Sequence, residues 1–600
     1  MWHGRLFTAA LVLLLAACSS DTRYQRDADT WLADYGNTYR HLYLEAALAD
    51  WQTQTHIVEG DTTNAARSNA AHGALATFVG SPDNVERIQG YLAQRDRLTP
   101  LQVRQLEMML FYAGDSPGIV PDLVTQRIAA ETRQSELLYG YAFTLNGKPI
   151  TPNEIDERLT STTNLADRQA VWEASKAVGP VLRPGILALR DLRNGVVQAL
   201  GYPDYFGYQV SAYGMTSADM LAMMDTLNVQ LRPLYTELHT WARYELAKRY
   251  DAPVPDLIPA HWLPNPWGQY WTDLVTVQGL DVDAALRKHN AEWLMRQGEG
   301  FYQSLGFPAL SQSFWDNSSL YPVAPDAGYL KNTSASAWHM DLNREVRSLM
   351  SVEPNAQWWV TAHHELGHVY YYLSYSTPEV PIVLRTGANP AYHEGIGSLI
   401  GLASLQHRAL VDRGLIPADA RVDSMQKLLQ EALQYIAFIP FAAGTMPRWE
   451  HAFYSENLPA DSLNAKWWSL TARYQGIAPP TPRGEEYADA LTKTHINDGP
   501  AMYYSYALAE ALFFQLHEHI SQELLHQDPH DTDYYGHTEV GDFLTSIMAP
   551  GATRPWREVL QETTGRTLDA QAIVDYFQPL YVWLKEQNKG RTATLPALPI

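Results

Sequence analysis

Two histidines, one helical turn apart, lie near the middle of the sequence. Residues 364–368 read His-Glu-Leu-Gly-His, and the surrounding stretch 358–372 is rich in aromatic and aliphatic residues and has no proline, which predicts a buried helix. At about 100° per residue, His364 and His368 share one face and Glu365 lies on its flank. Two neutral imidazoles can bind zinc while a carboxylate that is not a ligand accepts a proton from water. The pattern predicts a hydrolytic zinc site; the alternative is two core histidines and an exposed glutamate.

A hydrolytic zinc site of this kind needs a third protein ligand and keeps one position open for water. Glu394 is the favoured candidate, because it lies 26 residues after His368, beyond a turn-rich loop at 385–390, at the start of another predicted helix. A carboxylate that arrives from a second helix can close a site formed by two histidines. Glu379 and Glu353 are the alternatives on the sequence alone.

Composition predicts one large soluble unit. The 600 residues contain no Gly/Ser linker, charge block or low-complexity segment, and we therefore predict a single domain over 27–590 with a tail at 591–600. With 18 Trp and 35 Tyr, the chain can form a large core and cavities lined by aromatic rings. The net charge of −22 is spread along the chain, which disfavours binding to nucleic acid.

The N-terminus has the pattern of an export signal. Arg5 precedes an apolar run over 6–15 that is too short to span a membrane, and the run ends in Leu15-Ala16-Ala17-Cys18. This ending resembles a bacterial lipoprotein processing box. We therefore expect a signal peptide at 1–17, lipidation of Cys18, a tether at 18–26, and a protein anchored to a membrane of the bacterial cell envelope and facing the periplasm. The alternative is an ordinary signal peptide with an incidental cysteine.

The periodicity of apolar residues predicts a mostly α fold with few short strands. The main predicted helices cover 30–54, 64–78, 123–141, 167–200, 215–249, 281–305, 424–436, 467–474 and 501–525. A proline-rich connection covers 252–266, and one strand is predicted over 329–337. Since Cys18 is the only cysteine, the fold has neither a disulfide nor a thiolate metal site.

The motifs around the two histidines resemble the zinc region of the angiotensin-converting-enzyme family of zinc peptidases. His-His-Glu-Leu-Gly-His at 363–368 is followed by Gly-Ala-Asn-Pro-Ala-Tyr-His-Glu-Gly-Ile-Gly at 387–397. Further similar segments occur in the family's order at 51–55, 267–271, 334–338, 438–441, 467–470, 474–476, 493–496 and 514–518. The resemblance implies a helical ellipsoid with two halves flanking a deep active-site cleft and N-terminal lid helices.

The resemblance also implies roles for individual residues. It implies that the ligands of Zn²⁺ are His364, His368 and Glu394. Glu365 is then the general base and acid. It implies that His495 and Tyr506 stabilise the oxyanion. It also implies that Gln269, Lys493 and Tyr503 bind the terminal carboxylate of the substrate, and that the backbone of Ala335 bonds the scissile peptide.

The implied activity is that of a zinc-dependent peptidyl-dipeptidase, which removes C-terminal dipeptides from oligopeptides. One alternative is a carboxypeptidase that releases single residues; the family's carboxypeptidase branch replaces the glutamine and the lysine that stand here as Gln269 and Lys493. The other is a catalytically weak peptide-binding lipoprotein. Two departures from the family's pattern are consistent with this second alternative. Ser334 replaces a histidine that bonds the substrate backbone, and Ser398 replaces an aspartate that supports a ligand histidine.

Overall fold

Helices form most of the regular structure in the computed structural model, which describes residues 3–277, 282–324 and 326–598. Up to residue 249 the α-helices are His3–Thr55, Thr63–Val79, Pro82–Leu92, Pro100–Ala113, Pro121–Tyr139, Pro152–Ser161, Leu165–Lys176, Gly179–Gln198, Tyr205–Ser211 and Ser217–Arg249. They continue as Asp283–Leu286, Ala291–Ser304, Gln312–Asn317, Ala356–Tyr375, Pro390–Ser404, His407–Asp412, Ser424–Ile439, Met446–Tyr454, Leu463–Tyr474, Thr494–Asp498, Tyr504–Glu518, Thr538–Met548, Trp556–Thr564, Gln571–Tyr576 and Gln578–Gln587. This confirms the mostly α fold.

The strands are short and occur only in pairs among the described residues. Thr144–Leu145 pairs with Lys148–Pro149 and Ser336–His339 with Val346–Leu349, both antiparallel, whereas Ile258–Pro259 pairs with Ile477–Ala478 in parallel. The predicted strand at 329–337 is therefore wrong over most of its length.

The reason lies in a bend just before Ser336. The amide of Ser334 donates to Asn332 Oδ1 at 2.9 Å, and the Asn332 amide donates to the Gln54 carbonyl of the first helix at 2.8 Å. Side-chain bonds of this kind compete with a strand ladder.

Two other predicted helices are interrupted. The range 167–200 is split between Lys176 and Gly179, where the chain passes so close to another segment that a Cβ on Gly179 would lie 2.4 Å from the Tyr487 carbonyl oxygen. The range 281–305 is split into two helices, and residue 281 lies outside the described residues. The predicted start of the 215–249 helix is confirmed, since Thr216 and Asp219 form a capping box.

Three helices form the centre of the molecule: Ala356–Tyr375 (the central helix), Pro390–Ser404 (the companion helix) and Tyr504–Glu518 (the tyrosine helix). The central and companion helices cross where a Cβ on Gly367 would lie 3.2 Å from the Cα of Gly397. The companion helix also packs along the tyrosine helix.

Asparagines cap the first two of these helices. Asn355 Oδ1 accepts from the Trp358 amide and Asn389 Oδ1 from the Ala391 amide, each at 2.9 Å.

The N-terminal helices His3–Thr55 and Thr63–Val79 pack together and lie over a cavity of about 470 Å³. Their contact includes Asp50, which accepts from Ser68 Oγ at 2.5 Å and lies 2.6 Å from His72 Nε2. The cavity is lined on the lid side by Tyr39, Tyr43 and His72, and on the opposite side by Ala337, Tyr372 and His393. The two helices therefore cover one side of this cavity, as a lid would.

No helix in the described parts of the chain combines the length and the apolar character needed to cross a membrane. The predictions for the signal peptide at 1–17 and for Cys18 concern side chains whose surroundings are not described. Residues 1 and 2 lie outside the described residues.

Candidate active site

His364, His368 and Glu394 form a cluster of three potential metal ligands. The two Nε2 atoms are 3.1 Å apart, and they lie 3.5 Å (His364) and 3.9 Å (His368) from oxygen atoms of Glu394. In a tetrahedral zinc site with metal–ligand distances of about 2.0–2.1 Å, ligand atoms are about 3.3 Å apart. The two imidazoles and the carboxylate thus fit a zinc ion both in chemical type and in spacing. Glu379 and Glu353, the other sequence candidates, are exposed and outside the cluster.

The companion helix brings Glu394 to the histidines because it approaches the central helix closely. At Gly397 the backbone faces the His364 ring directly: a Cβ there would lie 2.8–2.9 Å from three atoms of the imidazole. Real Cβ atoms do not come so close to a ring, so glycine at this position lets the ring lie against the second helix. The position of the third ligand therefore depends on two glycines, Gly367 and Gly397, at the crossing.

Changing Gly397 to alanine should weaken zinc binding by about 10- to 100-fold, in the range seen when groups that orient ligands are altered. The added methyl must displace the His364 ring. Alanine favours a helix over glycine by about 1 kcal/mol, so the helix itself should not be weakened. Competition with a chelator measures the zinc affinity. Gly401→Ala is the matched control on the same helix, because its Cβ would meet one Val360 methyl at 3.3 Å and not a ligand histidine. Equal affinities for the two variants would contradict this account of the crossing.

Glu365 lies beside the ligand cluster and is buried. Its Oε2 atom has no hydrogen-bond partner among the described residues. Burial raises the pKa of this carboxyl to about 7, with a smaller opposing effect of His364. A carboxyl whose pKa is near neutrality can both accept and return a proton. A bound zinc ion would lower that pKa through its charge.

The Nδ1 atom of His368 is buried and has no hydrogen-bond partner among the described residues. Imidazoles that bind metals usually donate their other nitrogen to a carboxylate or carbonyl, which fixes the ring and strengthens the ligand. Ser398, which stands where the family has an aspartate, forms no hydrogen bond with this ring in the described structure.

Two tyrosines of the tyrosine helix connect the ligand cluster with a second group of polar residues. Tyr503 caps the helix and Tyr506 lies in its first turn, with ring centroids 5.0 Å apart. The Tyr506 hydroxyl is 3.4 Å from His495 Nε2, and Glu394 is close enough to contribute to the raised pKa of Tyr506, of which burial is the main cause. Burial lowers the pKa of His495 to about 4. Around neutral pH, both groups can therefore donate a hydrogen bond without carrying charge.

Lys493, Gln269 and Tyr503 form the second group. Lys493 Nζ donates to Gln269 Oε1 at 2.9 Å, and the Tyr503 hydroxyl donates to the same oxygen at 3.2 Å. Lys493 is only 4% exposed, and its Nζ lies 4.4 Å from the centre of the Trp267 ring. Burial lowers its pKa to about 7. This buried cation with adjacent hydrogen-bond donors can bind a carboxylate.

Ala335 lies directly before the strand Ser336–His339, which packs against the central helix. The hydroxyl of Tyr372 in that helix donates to the Ala337 carbonyl at 3.3 Å. The strand thus contacts the central helix one turn beyond His368. Ser334, at the preceding bend, is exposed.

Two residues of this region were not identified from the sequence. Trp267 lies in a segment recognised by its similarity, but its position over Lys493 depends on tertiary packing. Glu510 follows Tyr506 by one helical turn, so the spacing alone could have placed it on the same face. Glutamate in a helix is normally taken as a solvated residue, and its enclosure is visible only in the structure.

Comparison with known proteins agrees with this arrangement. The family model described as angiotensin-converting enzyme matches residues 22–595. Similar proteins include the angiotensin-converting enzymes of Rattus norvegicus (34% identity, covering 94% of this chain and 43% of the relative) and Bos taurus (35% identity, covering 73% and 34%). The chain therefore spans less than half the length of these curated relatives. The match over almost all of the described residues shows that this chain belongs to the angiotensin-converting-enzyme family.

Proposed function

We propose that the protein is a zinc-dependent peptidyl-dipeptidase that releases dipeptides from the free C-termini of oligopeptides. The observation that carries the proposal is the pairing of a three-ligand metal cluster with a buried carboxylate-binding group. Two adjacent tyrosines join these groups: Tyr503 contacts Gln269, and Tyr506, whose ring centroid is 5.0 Å from that of Tyr503, lies near Glu394. An anchored C-terminus next to a hydrolytic centre determines how many residues are removed.

His364, His368 and Glu394 would hold the zinc ion. When bound, zinc supplies Lewis-acid polarisation of a peptide carbonyl and lowers the pKa of water. Glu365 accepts the proton of the attacking water and passes it to the leaving amine. Tyr506 and His495 donate hydrogen bonds to the oxygen that becomes negative as the carbonyl is attacked.

Lys493, Gln269 and Tyr503 bind the terminal carboxylate of the peptide. This contact orients the chain so that the peptide bond two residues from its end lies at the metal cluster. The strand edge next to Ala335 provides backbone groups for the peptide on the other side of that bond. The cavity of about 470 Å³ beneath the N-terminal helices gives space for the rest of the peptide.

Hydrolysis of a blocked tripeptide by the purified protein tests the proposal. Mass spectrometry should detect a free dipeptide and the blocked first residue, and activity should disappear with a chelator and return with zinc. Release of the last residue alone would instead favour a carboxypeptidase. Tight binding of the tripeptide without hydrolysis in the presence of zinc would support a peptide-binding protein.

The pH profile should show the titration of Lys493. Because its pKa in the free protein is about 7, kcat/KM for peptides with a free C-terminus should fall as the pH rises above 7. At saturation the bound carboxylate stabilises the protonated amine, so kcat should fall less. Lys493→Arg keeps its charge and should move the alkaline limb of kcat/KM to higher pH. The same limb in both proteins would rule out Lys493 as its source.

Restoring a carboxylate at position 398 should strengthen the metal site. In Ser398→Asp we expect zinc affinity to rise by about 10- to 100-fold, because position 398 lies one turn after Glu394, where the family has an aspartate that supports a ligand histidine. Ser398→Asn has a similar shape without the charge and is the control. If Asn and Asp raise the affinity equally, hydrogen bonding and not charge is responsible. If neither raises it, a side chain at position 398 does not support the zinc ligands.

We also propose that Cys18 carries a lipid that anchors the protein to the membrane of a bacterial envelope, facing the periplasm. The proposal is supported by the apolar run at 6–15 and by Leu15-Ala16-Ala17-Cys18. Stable anchoring requires more than one acyl chain. Metabolic labelling with a fatty acid should mark the wild-type protein and not Cys18→Ala, and the wild-type protein should sediment with membranes. Unlabelled protein in the soluble fraction would refute the anchor.

A further inference from the structure

Glu510 lies on the face of the tyrosine helix that carries Tyr503 and Tyr506. It follows Tyr503 by seven residues and Tyr506 by four, a spacing that places all three side chains on one face. Tyr506 faces the ligand cluster and Tyr503 the carboxylate-binding group. Glu510 lies one turn further along the same face, away from the helix N-terminus.

Glu510 is half-buried, and one oxygen of its carboxyl is enclosed. Its Oε2 atom has no solvent-exposed surface and no hydrogen-bond partner among the described residues. Burial raises its pKa well above the ordinary value, and no nearby cation offsets this effect. Buried carboxyls in proteins are normally paired or hydrogen-bonded. Glu450 differs: it is fully buried and its Oε2 also lacks a partner among the described residues, but its Oε1 accepts from the Ala501 amide at 2.6 Å.

Aromatic rings connect Glu510 with the carboxylate-binding group. Tyr270 directly follows Gln269, and its ring stacks on Phe438 at 5.1 Å. Burial raises the pKa values of the hydroxyls of Tyr270 and Tyr503, and the nearby Glu510 carboxylate raises both further. Phe438 lies 6.0 Å from the Tyr503 ring. The side chains that surround the proposed position of the substrate's last residue are therefore aromatic, with one carboxyl among them.

We propose that Glu510 is a specificity-determining residue that selects a lysine or arginine as the last residue of the peptide. The proposal rests on the proposed function, which places the terminal carboxylate at Lys493, Gln269 and Tyr503. A long basic side chain at that residue can extend its methylenes over Tyr270 and Phe438 and bring its cation to Glu510. The ion pair gives the buried carboxyl its missing partner, and the rings add cation–π attraction.

Two blocked tripeptides that differ only in their last residue, lysine or norleucine, test this. Norleucine keeps the aliphatic chain and lacks the ammonium. The readout is the ratio of kcat/KM for the two peptides. We expect the zinc-loaded wild-type protein to favour lysine by at least about 10-fold, since a charged hydrogen bond contributes about 1.5–3 kcal/mol. In Glu510→Gln the ratio should fall below about 2.

Glu518→Gln is the matched control on the same helix. Glu518 accepts from Arg566 Nη1 at 2.5 Å and lies two turns beyond Glu510, so the ratio should stay as in the wild type. Calorimetry gives a second readout that does not require turnover: the zinc-loaded protein should bind Ala-Lys more tightly than Ala-norleucine, and Glu510→Gln should remove the difference.

The outcomes separate this inference from the proposed function. Hydrolysis of both peptides with no preference for lysine, or a preference that survives in Glu510→Gln, overturns the role of Glu510 alone. Hydrolysis of neither peptide overturns the proposed function, and the calorimetric comparison of the two dipeptides then decides whether Glu510 binds a cation.

Discussion

Replacing Glu365 by glutamine should lower kcat by about 10²- to 10⁴-fold, the range typical of a general acid–base residue. Glutamine has the shape of glutamate but cannot accept the proton of water. The change should leave the fold and the metal ligands intact, because Glu365 Oε2 takes part in no hydrogen bond among the described residues. Turnover of a blocked tripeptide and zinc content are the two measurements.

Glu379→Gln is the control for this prediction. Glu379 is an exposed carboxylate eleven residues beyond His368 and outside the ligand cluster, so kcat should not change. A Glu365→Gln protein that retains zinc and near-normal turnover would contradict the role of Glu365 as the proton acceptor. Loss of zinc would show instead that Glu365 supports the metal site.

Changing Lys493 to alanine should lower kcat/KM by about 30- to 900-fold, which corresponds to a loss of about 2–4 kcal/mol in transition-state stabilisation. The carboxylate of the substrate would then be buried next to Gln269 and Tyr503 without a cation. A substrate with an amidated C-terminus lacks that charge and should lose a similar amount with the wild-type protein. The measurement is kcat/KM for both substrates with both proteins.

The two changes should not be additive, because each removes a member of the same ion pair. With the amidated substrate, Lys493→Ala should therefore change kcat/KM much less than with the free acid. Lys248→Ala, a change of an exposed lysine, is the control. Equal effects of Lys493→Ala on the acid and the amide would show that Lys493 does not contact the terminal carboxylate.

Local spacing made much of this site predictable. The four-residue interval between His364 and His368 is enough to place both on one helical face, and the periodicity of apolar residues identified most helices. Glu394 was less certain from local pattern, because its position depends on a loop and on the crossing of two helices. That crossing depends on Gly367 and Gly397, and the sequence around either glycine does not indicate its partner.

The errors have the same origin. The helix predicted at 167–200 is broken near Gly179 by close contact with the chain at Tyr487, and the strand predicted at 329–337 is displaced by a bend that Asn332 anchors to the first helix. Glu510 was overlooked because its type and position fit a solvated helix surface. Burial is a property of the assembled fold, so residues such as Glu510 are found only once packing is known.

Hydrolysis of a free-ended hexapeptide in ¹⁸O-labelled water tests the central claim most directly, because the label marks the new carboxylate at the cut. At initial rate, mass spectrometry should find ¹⁸O in a tetrapeptide together with an unlabelled dipeptide, since the carboxylate held at Lys493 places the second peptide bond from the end at His364, His368 and Glu394. A labelled pentapeptide with a free amino acid, or label distributed over internal cuts, would contradict the account.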